Sequence, residues 1–138
     1  MTAATADRRT IIKPGDEIAL PVKGATKIYA GTMVQRDSSG LGVPASATIA
    51  NKTVGIAERQ ADNSGGADSA INVVALRRRV GIFANSASGD LIAQADVGND
   101  CYVVDDSTVA KTDNSGARPK AGTILGVDSQ GVHVLVGA

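Results

Sequence analysis

Along most of this chain apolar and polar positions alternate in short runs, and each run stops at Gly, Pro, Asn or Asp. Alternation with a period of two is the mark of a half-buried strand. Ile18, Leu20 and Val22 alternate within Asp16–Lys23, and Pro21 places that run at a sheet edge. Ile28–Arg36 is the next run and ends at the turn cluster Asp37-Ser38-Ser39-Gly40. Lys52–Arg59 is a short strand interrupted by Gly55, and Gly89–Gln94 and Asp100–Val104 are further strands. Ile124–Val127 and Gly131–Val136 close the chain as a hairpin turned at Asp128-Ser129-Gln130-Gly131. Ala70–Val80 fits either a helix or a strand. Ile71, Val73 and Val74 favour the strand, which Gly81–Ala84 continues or bends. Leu41–Ala50, Ala61–Asp68 and Asp105–Lys120 read as irregular or polar loops. The spacing predicts about eight to ten short strands, and so an all-β fold: a small β-barrel or sandwich-like domain.

The first stretch, MTAATADRRTIIK, shows no such alternation and stops at Pro14-Gly15. It reads as a flexible N-terminal arm, residues 1–14, ahead of a single β-domain at 15–138. A weak internal echo follows. Thr32–Ala57 and Cys101–Val127 each run from a strand through an Asp-Ser turn to a glycine-containing strand, with T-V-G-I-A facing T-I-L-G-V. The separation suggests two similar β units folded together, with chance as the alternative.

Composition changes the picture in two ways. Hydrophobic residues are 43% of the 138, but aromatic ones only 2%, so the core is built from Ala, Val, Ile and Leu, each burying less area than a ring. That suggests support from neighbouring subunits. The 14 basic and 14 acidic residues balance, which argues against a dedicated nucleic-acid partner. Cys101 is the sole cysteine, so an intrachain disulfide is excluded. No apolar run approaches a membrane span and the start lacks a signal-peptide core, so the expectation is a soluble protein made in the cytoplasm, with no membrane partner.

Candidate chemistry is sparse. His133, the sole histidine, alternates with Val132 and Val134 and is expected on the opposite strand face. A Cys101–His133 nucleophile pair would make a small hydrolase, but Cys101 lies in an apolar strand where thiols are inert. Asp105-Asp106 and Asp128 lack the calcium-loop pattern. The twin tetrapeptides Asp62-Asn63-Ser64-Gly65 and Asp113-Asn114-Ser115-Gly116 read as turns, with Asx bonds and a glycine at positive φ. Phosphate-loop patterns are absent. On a strand, Arg77 and Arg79 would share one face and Arg78 the other. They form an ion-pair strand, or a nucleic-acid grip without the stacking aromatics such grips use. The expectation is therefore no enzyme, no catalytic or metal residues and no cofactor.

Five pieces in order carry a resemblance: Y-A-G-T-M-V at Tyr29–Val34, T-V-G-I-A at Thr53–Ala57, V-G-N-D-C-Y-V at Val97–Val103, I-L-G-V-D at Ile124–Asp128 and V-H-V-L-V at Val132–Val136. Together they resemble the capsid decoration (cement, head-stabilising) proteins of tailed bacteriophages. The resemblance implies a β-barrel-like homotrimer on the outer surface of the mature capsid. There it would clamp major capsid proteins together, with an arm that orders on the capsid. Arg8, Arg9, Ile11, Ile12 and Lys13 are the expected capsid-binding arm residues. Another virion component with the same β-domain, such as a head-fibre base or tail protein, is the alternative.

Overall fold

The computed structural model describes residues 2–137; Met1 and Ala138, the outer ends of the expected arm and domain, lie outside the described residues. The described residues are all-β with twelve strands, more than the eight to ten expected. They are β1 (Glu17–Pro21), β2 (Thr26–Ile28), β3 (Met33–Arg36), β4 (Gly42–Pro44), β5 (Lys52–Ala57), β6 (Ala61–Asn63), β7 (Asn72–Leu76), β8 (Arg79–Phe83), β9 (Asp100–Asp105), β10 (Thr108–Ala110), β11 (Lys120–Asp128) and β12 (Gly131–Val136).

Two five-stranded antiparallel sheets form, ordered β1-β7-β5-β3-β4 and β10-β9-β11-β12-β8, with β2 and β6 as a separate ribbon. The two orders are the same topology. In each, the first strand pairs with the last, the last with the fourth, the fourth with the second and the second with the third. The hydrogen bonds repeat as well. Val34 pairs with Gly55 and Gln35 with Thr53, skipping Val54; Cys101 pairs with Gly122 and Tyr102 with Lys120, skipping Ala121. Gly31 N–H donates to Ala57 O at 2.9 Å and Gly98 N–H to Ile124 O at 2.8 Å. The central strands thus map at an offset of 67, set by the pairs 31 and 98, 55 and 122, while β9–β10 carries a bulge at Thr108/Val109 that β3–β4 lacks. The chain is an internal duplication. The echo in the sequence marked the right region in the wrong register, since Gly55 corresponds to Gly122 and not to Gly126.

Each sheet curls until its two edge strands touch at one corner, through the parallel bridges Val22–Gly42 and Ala84–Thr108. Neither sheet closes into a barrel; the assembly is sandwich-like. Tight curling favours small interior side chains, which accounts for the aromatic-poor core. One cluster holds Val22, Ile28, Val34, Ala57, Val73 and Ala75 of the first unit. The other is built on Phe83, Cys101, Val103, Ile124, Val132 and Val134 of the second. Met33, with Ile56 packed alongside, joins the second cluster from β3 and β5 and so locks the units together. The corresponding residues of the second unit, Asp100 and Thr123, are polar and end the array, as terminal repeats must.

Several expectations are corrected. Ile28–Arg36 is two strands, because Gly31 at φ +79 turns the chain between β2 and β3. The expected loops contain β4, β6 and β10, three-residue strands too short to show alternation. Gly89–Gln94 is not a strand. Single 3-10 turns flank it at Ser88–Asp90 and Gln94–Asp96. The Asn85 side chain accepts from Ile92 N–H (3.0 Å) and donates to Ile92 O (2.9 Å), taking the place of a partner strand.

Candidate interaction surfaces

Residues 2–15 are all exposed and outside every strand, and Ile11 and Ile12 are 93% and 88% exposed. Burying two such side chains is favourable by roughly 1.5–3 kcal/mol each. Arg8, Arg9 and Lys13 flank them.

The arm is tied down at its base. Asp16 O accepts from Arg77 N–H at 2.8 Å, Gly15 O from the Arg77 guanidinium at 3.1 Å, and Arg79 pairs with Asp16 at 2.9 Å. The bond from Arg79 holds the Asp16 carboxyl below its usual value. The arginine run is therefore not one strand with two faces, as the alternation suggested. β7 ends where its partner β1 begins, at the pair Glu17–Leu76, and Arg78 at φ +56 turns the chain into the other sheet. Arg77 and Arg79 clasp the junction of arm and sheets.

Cys101 and His133 are not brought together. Cys101 points into the second core, its thiol against Gly122 O at 3.6 Å, and burial pushes it up to about 12. At pH 8 the thiol stays protonated and so is a poor nucleophile. Cys101 in the folded protein is expected to resist maleimide or disulfide reagents at pH 8, and to react at the rate of unfolding. Prompt labelling without denaturant would contradict this burial. His133 lies on the outer face, as expected, with Nε2 2.8 Å from Asp128 Oδ2. The Gln130 N–H and then His133 lower the Asp128 carboxyl.

The twin tetrapeptides do different work. Asn63 is buried and its amide donates to Val22 O, Lys23 O and Ala67 O, while Gly65 has no positive φ. In the second copy Asn114, Ser115 and Gly116 all have positive φ (51, 59 and 83). No group of three metal-ligating side chains occurs among the described residues.

A cleft of about 370 Å³ opens where the two units meet, between Arg36, Ile49, Lys52 and Thr53 on one side and Pro119–Gly122 on the other. Apart from Thr53 its side chains are apolar, amide or cationic, without a carboxylate, thiol or imidazole.

Compared with known protein families, curated proteins and solved structures, this chain matches none. No helix among the described residues is long and apolar enough to cross a membrane.

One surface went unnoticed in the sequence. Val80 and Ile82 on β8 are 51% and 45% exposed, and Leu125, at the bulge of β11, is 47% exposed. Val80 pairs with Leu135 and Ile82 with His133, so these side chains share the outer face of the second sheet. The alternation Val80-Gly81-Ile82-Phe83 was present in the sequence. What it lacked was any sign that Phe83 points in and that Val80 and Ile82 point out.

Proposed function

We propose that this protein is a structural virion component that binds the outer surface of a mature phage capsid as a homotrimer and stabilises contacts between major capsid proteins. The observation that carries this reading is the exposed arm on a doubled β body, together with the order of the sequence pieces that resemble capsid decoration proteins. Two of those pieces, Tyr29–Val34 and Thr53–Ala57, lie at the register-matched strands of the first unit. Val97–Val103 lies at the counterpart of the first of them in the second unit, whereas Ile124–Asp128 overlaps the counterpart of Thr53–Ala57 only at Ile124. Arg8, Arg9, Ile11, Ile12 and Lys13 are the segment offered when the protein docks, and three copies acting together multiply weak contacts through effective concentration.

Cosedimentation with expanded capsids tests the reading. The full chain is expected to pellet with capsids, and removal of residues 1–13 to weaken that binding about tenfold or more. A full chain that stays in the supernatant at every concentration would show the reading to be wrong.

A further inference from the structure

The duplication supplies an internal control for the exposed apolar face. Positions with the same backbone register need the same things from the fold. The pairs Glu17–Leu76 and Ala19–Val74 in the first unit correspond to Val80–Leu135 and Ile82–His133 in the second. Glu58 follows Ala57 as Leu125 follows Ile124. At matched positions the first unit therefore carries Glu17, Ala19 and Glu58, all exposed, where the second carries Val80, Ile82 and Leu125. Folding does not require the apolar set, because the first unit builds the same sheet without it. Leaving it in water is unfavourable, and contiguous apolar patches mark interaction sites.

The arm complements this face. It presents two adjacent isoleucines flanked by Arg8, Arg9 and Lys13. The face presents its apolar residues beside the Asp128 carboxylate, held next to His133, while Asp100 on β9 is already paired with Lys120 at 3.1 Å and adds no free charge. The arm of the same chain starts within reach, since Asp16 pairs with Arg79 at the head of β8, yet its Ile11 and Ile12 remain in solvent. We propose that the outer face of β8, β12 and β11 receives the N-terminal arm of a second copy of this chain. Arm on face is a head-to-tail contact, and such contacts generate rings when the rotation closes. The proposal rests on the trimer reading above and changes its account of the arm: the first partner of the arm is the next copy, and the assembled ring is what meets the coat.

Sedimentation equilibrium on two full-length variants tests it. One, Val80→Glu with Ile82→Ala and Leu125→Glu, writes the first unit's residues onto the second. The other, Ile11→Asp with Ile12→Asp, alters only the arm. Wild-type protein is expected to self-associate, and each variant to do so about tenfold more weakly or worse. Mixed together, the two variants are expected to form a heterodimer that neither forms alone, because one keeps the face and the other the arm. A monomeric wild type, an arm variant that assembles like wild type, or a mixture that stays monomeric would each overturn the proposal. Should the face variant unfold, the arm variant still decides the point. Capsid cosedimentation is read separately. A chain that assembles but leaves capsids alone sinks the virion reading, whereas one that binds capsids as a monomer sinks this one.

Discussion

Gly122→Ala is expected to destabilise the protein by roughly 3 kcal/mol or more, into the range that only severe packing clashes reach. A Cβ on Gly122 would lie 2.1 Å from the carbonyl oxygen of Leu135, and that oxygen belongs to the neighbouring strand β12. It cannot swing aside as the end of a flexible side chain would, so β11 and β12 must part. Gly55 stands at the matching position of the first unit, and its Cβ would lie 2.6 Å from Leu76 O. Gly55→Ala is expected to be nearly as damaging. Gly126 is the control. Its nearest atoms belong to His133, at 3.7 Å and beyond, and its φ is not positive, so Gly126→Ala should change stability by less than about 1 kcal/mol. Urea unfolding of the three variants reads the order directly. Equal losses at Gly122 and Gly126 would contradict the register by which the two units correspond.

Gln35→Ala is expected to lose about 2–4 kcal/mol, from a cavity and from polar groups left buried without partners. Gln35 is completely buried at the centre of β3. Its amide donates to Ser46 O at 3.1 Å and to Thr53 Oγ1 at 3.4 Å, and its oxygen accepts from Ser46 N–H at 2.9 Å and Asn51 Nδ2 at 3.3 Å. One side chain thus fastens the whole β4–β5 connection. Its counterpart in the second unit is Tyr102, half-buried on the outer surface. A thermal or urea midpoint unchanged in Gln35→Ala would show that the loop is held some other way. Gln35→Glu keeps the shape but turns an oxygen toward Ser46 O and buries an acid, and should lose at least as much as Gln35→Ala.

The sequence by itself determined the fold class. Alternation in Asp16–Lys23, Lys52–Arg59, Asp100–Val104 and Gly131–Val136 reports which face of each strand is buried, and burial there is a local property of the pleat. For the same reason the alternation put His133 on the face opposite Val132 and Val134. The turn at Asp128–Gly131 was also local, being fixed by Asp128 accepting from Gln130 N–H at 2.8 Å. The start of the chain lacked alternation as well, and residues 2–15 are exposed and outside every strand.

Only the tertiary structure decided the rest, because the deciding contacts are far apart in sequence. Asp-Asn-Ser-Gly is one string with two conformations. Asn63 is drawn inward by carbonyls of Val22 and Lys23, some forty residues away, and Asn114 has no such partners among the described residues. The arginine run breaks at Arg78 because β7 runs out of partner strand at Glu17. The duplication was almost invisible, since curled sheets constrain backbone register and interior volume far more than residue identity. What survives in the sequence are glycines such as 55 and 122, where a neighbouring carbonyl leaves no room for a Cβ. The apolar face of β8, β12 and β11 stands out only once the two units are superposed by register and Val80, Ile82 and Leu125 are seen to replace Glu17, Ala19 and Glu58.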